Sequence, residues 1–210
     1  MRIITGSARG RRLLTLEGEH VRPTTERVKE ALFSILQFQI EGRRVLDLFA
    51  GSGQLGLEAL SRGAREAVFV DAGKEPISII EKNIASTGLG ERAKVLHMDY
   101  AAFLLRRNEP FDIAFLDPPY RTGLLQKAIP LTVAILNKGG VLVCEHPIDE
   151  EIPEAAGDFE KSATTAMERL CCRSTGTKIY KGFVWIQDST HGKSFGKEET
   201  YENCNLPRQL

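Results

Sequence analysis

The chain has 210 residues, enough for one well-buried domain and too few for two large ones. Its 42% hydrophobic and 27% charged content excludes wholesale disorder, a collagen-like repeat and a disulfide scaffold. Twenty-eight Lys plus Arg balance twenty-eight Asp plus Glu, a total that argues against a nucleic-acid binder until it is resolved by segment. Residues 1–44 hold nine basic against five acidic residues, and residues 1–12 hold four arginines and no acid.

No apolar run approaches the roughly 18 residues of a membrane span, and the opening MRIITGSARGRR lacks the apolar centre of a secretory signal. A cytoplasmic protein with no membrane partner is expected. Cys144, Cys171, Cys172 and Cys204 have no metal-ligand spacing, so free thiols and no metal site are expected.

In chain order, residues 1–21 read as a basic hairpin, because Ile3-Ile4 and Leu13-Leu14 flank a loop of small and basic residues. After Pro23, Thr24 or Thr25 can cap a helix whose buried face is Val28, Ala31, Leu32, Ile35 and Leu36. These residues, 1–40, form an N-terminal extension. From there short apolar runs ending in polar residues (Val45–Phe49, Ala67–Asp71, Lys94–His97, Ile113–Asp117, Val141–Glu145) alternate with helix-like stretches (Gln54–Arg62, Glu75–Thr87, Tyr100–Arg107, Leu124–Leu136). Such alternation predicts right-handed crossovers and a doubly wound, Rossmann-like α/β sheet over residues 41–188. Thr177–Ile186 reads as a late strand at the sheet edge, Phe159–Cys172 is ambiguous between helix and strand, and 189–210 reads as a flexible tail.

Four strand ends carry the chemistry. The first runs into Asp47-Leu48-Phe49-Ala50-Gly51-Ser52-Gly53, and with Gly56 it satisfies G-x-G-x-x-G; Asp71, twenty residues beyond Gly51, ends the second strand where a ribose would be bound. A carboxylate at Asp47 would oppose a pyrophosphate at this turn, whereas the ammonium and sulfonium of S-adenosylmethionine suit it. Asp99-Tyr100 follows the third strand, where the acid can accept from an adenine amine and the ring can cover it, although a plain helix cap explains Asp99 equally well.

The fourth strand ends in Asp117-Pro118-Pro119-Tyr120. Two prolines hold the chain extended and leave carbonyls fixed in direction. An oxygen of Asp117 and the Pro118 carbonyl can take both protons of an exocyclic amine, with Tyr120 stacked on the base. His97 and His146 read as structural histidines, and Cys144 as a core residue.

Taken together, these motifs resemble the bacterial small-subunit rRNA guanine-N2 methyltransferases of the D type. The match also includes Arg2-Ile3-Ile4-x-Gly6 with Gly10-Arg11, Arg22-Pro23-Thr24-Thr25, the helix from Arg27 to Phe33, Gly56 to Ala59 and Asn83. The resemblance implies a class I S-adenosylmethionine-dependent methyltransferase acting on a guanine N2 amine of 16S rRNA, within a 30S particle or an assembly intermediate. It further implies that Asp47, Phe49, Ala50, Gly51, Ser52, Gly53, Asp71, Asp99 and Tyr100 hold the cofactor. Asp117, Pro118, Pro119 and Tyr120 would form the catalytic clamp, and Arg2, Arg9, Arg11, Arg12 and Arg22 would contact RNA. The stretch Arg173 to Thr177 and the tail after Ser189 depart from the family pattern.

Other readings stay open on the residues alone. A DNA adenine-N6 methyltransferase could use the same proline loop, although about 40 N-terminal residues leave little room for a sequence-reading domain. A catalytically idle RNA-binding assembly factor is opposed by the intact Asp117–Tyr120 loop, and a nicotinamide oxidoreductase by Asp47.

Overall fold

The computed structural model describes residues 1–16, 23–106, 109–146, 151–153, 155–157, 159–162 and 182–188. Its elements are α1 (Pro23–Ile35), β1 (Arg44–Leu48), α2 (Gln54–Ser61), β2 (Glu66–Asp71), α3 (Lys74–Thr87), β3 (Ala93–His97), α4 (Tyr100–Leu104), β4 (Phe111–Leu116), α5 (Leu124–Val133) and β5 (Leu136–His146), followed by β6 (Ala155–Ala156), β7 (Phe159–Ser162) and β8 (Gly182–Asp188). The sheet order is β3-β2-β1-β4-β5-β8-β7-β6. Strands β1 to β5 are parallel, and β8, β7 and β6 add antiparallel to one another beyond β5. This is the doubly wound, Rossmann-like architecture that the β/α alternation predicts.

The core follows from the two-residue period of the strands. All five residues of β1 are buried because helices cover both faces of the sheet. Val45, Phe69, Ile113, Phe115 and Val143 join a cluster with Leu57 and Leu60 of α2, Ile80 of α3 and Leu32 and Phe33 of α1. Leu46, Leu48, Val68, Ala114, Leu116, Leu142 and Cys144 form a second cluster with Phe103, Leu125 and Ile129. Each fully buried Leu or Phe stabilises the fold by roughly 1.5–3 kcal/mol relative to exposure. Cys144 is thus a core residue, and burial pushes its thiol pKa up.

The N-terminal arm is bound to the body more firmly than a basic hairpin requires. Among the described residues one antiparallel bridge, Arg2 to Arg12, and a few backbone hydrogen bonds around it, such as Ile3 N–H to the Arg11 carbonyl, join its two sides. Ile3, Ala8 and Leu13 instead enter the first core cluster. The buried Glu58 of α2 accepts from the backbone N–H groups of Ile4 (2.8 Å) and Thr5 (3.1 Å) and from Arg62 Nε (2.8 Å). Lys29 lies 3.5 Å from it, with burial pulling the ammonium pKa down and Glu58 opposing that pull. Gly6 must be glycine: a Cβ there would lie 1.9 Å from the Ser61 carbonyl oxygen.

Several boundaries differ from expectation. Ile35 is 46% exposed, and Phe33 takes the buried place on α1. α4 ends at Leu104 rather than Arg107, with 107 outside the described residues, and α5 ends at Val133 because the chain has already turned toward β5. The late strand is not at the edge: β8 lies between β5 and β7, since the short β6–β7 pair covers its far side. Residues 177–181 of that expectation, 163–172 of the ambiguous stretch, and the tail from 189 lie outside the described residues. No described helix is long and apolar enough to cross a membrane.

Candidate active site

Strands β1 and β4 are neighbours in register, with Asp47 beside Phe115 and Leu48 beside Leu116. Their connections then part, one toward α2 and β2 and the other toward α5 and β5, which opens a crevice at the carboxyl ends of the strands. A cleft of about 550 Å³ occupies it. It is lined by Asp47, Phe49, Ala50, Gly51 and Ser52 after β1, Asp71 after β2, Asp99 and Tyr100 after β3, and Asp117, Pro118, Pro119 and Tyr120 after β4. The structure therefore brings both expected groups of site residues to one cavity. Gly53 stands behind it against Ile80 and Phe69.

Asp47 is 2% exposed, and its Oδ2 accepts from the Gly56 N–H at 2.8 Å. Gly56 permits this approach because a Cβ there would meet the Phe69 ring at 2.3 Å. Burial first, and then the neighbouring Asp71 charge, push the Asp47 carboxyl up to about 7 against the opposing Gly56 hydrogen bond. Asp71 binds the loop itself: Oδ2 accepts from Gly51 N–H (2.9 Å) and Oδ1 from Gly73 N–H (2.8 Å).

Asp99 caps α4, its Oδ1 accepting from Ala101 and Ala102 at 2.9 and 3.2 Å, while the residue also lines the cleft. Tyr100 packs against Phe49 with ring centroids 5.1 Å apart. Phe49 has φ 65°, a left-handed conformation that costs a non-glycine residue about 1–2 kcal/mol and that clusters at functional sites.

Arg2, Arg9, Arg11 and Arg12 are exposed on the arm and do not line the cleft; Arg2 Nε lies 3.4 Å from Glu26. Arg22 lies outside the described residues. Leu16 links arm and cleft by lining the latter. His97 Nε2 is 3.0 Å from the Ala72 carbonyl oxygen, and His146 is buried at the end of β5. Among the described residues no group of three or more His, Cys, Asp or Glu is arranged to hold a metal ion.

Four residues matter more than their sequence context announces. Fully buried Asn83 donates to the Leu14 and Ser52 carbonyls (3.0 and 2.9 Å) and accepts from Leu14 N–H (2.8 Å), joining the arm to the glycine loop. Buried Glu145 accepts from the Tyr120 hydroxyl at 2.7 Å. Gln54 lines the cleft, and its buried Oε1 has no hydrogen-bond partner among the described residues. Glu58 had one legible signal: a charge within a helix whose every residue from Leu55 to Ser61 is buried demands a partner.

The donor set fits S-adenosylmethionine. Four aspartates and, among the described residues, no lysine, arginine or histidine line the cleft. That charge opposes a pyrophosphate and suits a ligand bearing an ammonium and a sulfonium. Asp47 and the unpartnered Gln54 oxygen offer acceptors for the ammonium, Asp71 for ribose hydroxyls, and Asp99 for an adenine amine.

The sequence profile described as Conserved hypothetical protein 95 matches residues 1–174. The chain is 40% identical over 186 residues, 86% of its own length and 98% of the relative's, to the Bacillus subtilis protein described as "Putative rRNA methyltransferase YlbH". It is 43% identical over 131 residues to the Escherichia coli ribosomal RNA small subunit methyltransferase D, a match covering 62% of this chain and 66% of that one. A solved T. thermophilus 16S rRNA N2 G1207 methyltransferase, in complex with AdoMet and guanosine, superposes with a TM-score of 0.58 at 25% identity, over 82% of this chain and 44% of that one. The chain belongs to the Conserved hypothetical protein 95 family and is a homologue of the bacterial small-subunit rRNA methyltransferases D.

Proposed function

We propose that the protein transfers a methyl group from S-adenosylmethionine to the exocyclic N2 amine of a guanine in 16S rRNA, presented in the cytoplasm by a 30S particle or an assembly intermediate. The observation that carries this reading is the opening of the Asp117–Tyr120 loop into the same acid-lined cleft as Asp47, Asp71 and Asp99. The rRNA substrates of the relatives support the choice of nucleic acid, and the guanosine bound by the T. thermophilus enzyme supports the choice of base.

The cofactor, when bound, supplies an electrophilic methyl group on a sulfonium. The protein's part is orientation. The guanine amine is a poor nucleophile because its lone pair is delocalised into the ring. An Asp117 oxygen and the Pro118 carbonyl accept its two N–H groups and aim the lone pair across the cleft, and Tyr120 covers the base. Holding a near-attack geometry in this way supplies much of the rate. As the new N–C bond forms and the C–S bond breaks, the nitrogen becomes cationic. The carboxylate of Asp117 stabilises that charge and accepts the proton the nitrogen sheds. Arg2, Arg9, Arg11, Arg12 and Arg22 contact phosphates.

Transfer of a tritiated methyl group to naked DNA, naked 16S rRNA and 30S particles from a strain lacking the enzyme tests this reading. Incorporation into the ribosomal substrates with DNA blank is expected, and Asp117→Ala should lose it while still binding S-adenosylhomocysteine. Incorporation confined to DNA would overturn the proposal.

A further inference from the structure

Tyr120 is 36% exposed, yet its hydroxyl donates to the carboxylate of Glu145, which is 8% exposed at the end of β5. The two residues are 25 apart in sequence. The pairing of β4 with β5 places them together: Leu116 pairs with Cys144, so the loop leaving β4 passes over the next residue of β5. The same loop is held at other points. Pro118 is buried, Thr122 Oγ1 donates to the Pro119 carbonyl at 2.7 Å, and Arg121 takes a left-handed φ of 59° that a non-glycine residue adopts only when its surroundings impose it.

A half-exposed ring on a loop samples its rotamers unless something fixes it. A hydrogen bond to a buried carboxylate is directional and stronger than one between neutral groups. We propose that Glu145 is the positioning residue of the target-base subsite: by holding the Tyr120 hydroxyl it sets the plane of the ring on which the base stacks, and with it the angle at which the amine meets Asp117 and Pro118. This rests on the clamp role proposed for Asp117 to Tyr120. Glu145 acts through Tyr120.

RNA affinity comes mainly from phosphate contacts, so loosening the ring should leave substrate binding nearly intact and disturb the oriented step. Glu145→Leu should therefore lower kcat on 30S particles about tenfold, with KM changed less than about threefold and with an unchanged calorimetric Kd for S-adenosylhomocysteine. Glu145→Gln retains an oxygen that accepts the phenol and should recover most of the rate. In a Tyr120→Phe background, which has no hydroxyl to hold, Glu145→Leu should cost less than about twofold more.

Wild-type turnover in Glu145→Leu, equal damage in Glu145→Gln, or a full additional loss in the Tyr120→Phe background would each overturn the inference. If Glu145→Leu does not fold, Glu145→Gln and Tyr120→Phe still decide the matter: near-normal kcat in Glu145→Gln together with a loss of about tenfold in Tyr120→Phe, to which Glu145→Gln adds nothing, supports it, and an unimpaired Tyr120→Phe or a Tyr120-independent loss in Glu145→Gln refutes it. Tyr120→Ala separates the two layers. If it methylates normally while binding S-adenosylhomocysteine, the clamp reading fails; if it loses activity while Glu145→Leu keeps it, only the positioning role fails.

Discussion

Asp47 carries a strong electrostatic tension in the cleft, and its pH behaviour follows from that. A carboxyl whose folded pKa is about 7 against an ordinary value of 3.8 is neutral in the folded protein at low pH and forced to ionise in a buried site at high pH. Its contribution is fully present below the unfolded value and is lost as pH rises through the folded one, a loss of the order of 4 kcal/mol when complete. Asp47→Asn removes the ionisation. In the cofactor-free protein, chemical denaturation at a series of pH values should show the variant gaining on the parent between pH 4 and 7 and then levelling; a pH-independent difference would refute the assignment. If the same carboxylate receives the cofactor ammonium, Asp47→Asn should also weaken S-adenosylhomocysteine binding by roughly 10- to 100-fold, the worth of a charge-assisted hydrogen bond. A more stable protein that binds its ligand less well is the signature of a group kept for function.

At the scale of elements, the arm and α2 behave as one unit joined by Glu58. Removing that carboxylate leaves two backbone N–H groups and the Arg62 Nε–H without their acceptor and deprives buried Lys29 of its counter-ion. Glu58→Ala should therefore destabilise the protein by about 3–5 kcal/mol, the usual cost of stranding one side of a buried ion pair, measured as a shift in denaturant midpoint with m unchanged. The exposed side of the arm has a separate role. Arg11→Glu with Arg12→Glu should leave stability near that of the parent and reduce the slope of log affinity against log salt by roughly one unit for every phosphate no longer neutralised; an unchanged slope would remove these residues from the RNA interface.

The parallel strands are legible in the sequence because burial on both faces writes them as continuous apolar runs, as in Ala67 to Val70 and Ile113 to Leu116. The beginning of β5 is not, since Asn137, Lys138 and Gly139 are exposed and carry no strand pattern. β8 reads as an edge strand because its own alternation says nothing of the four-residue β7 that pairs with its far side, or of the two-residue β6 beyond that. The strand-end acids are legible from order and spacing. The roles of Asn83 and Glu145 are not, because their partners lie 69 and 25 residues away and only the folded chain brings them within hydrogen-bond distance.

At the scale of the whole molecule, the zero net charge conceals a division of labour. Basic residues gather on the arm, and acids gather in the cleft at the strand ends. The first arrangement suits a polyanion approached from outside, and the second suits a cationic cofactor held within. The arm and the glycine loop share Asn83, so the basic surface proposed to receive RNA and the floor of the cleft are set relative to each other by one buried amide. The central claim is that this assembly methylates an exocyclic guanine amine of 16S rRNA. Mass spectrometry of nucleosides and of mapped fragments, after the enzyme has reacted with 30S particles from a strain lacking it, tests that claim most directly. N2-methylguanosine at a single position is the predicted result; N6-methyladenine, or no methylated base from enzyme that still binds both cofactor and particle, would contradict it.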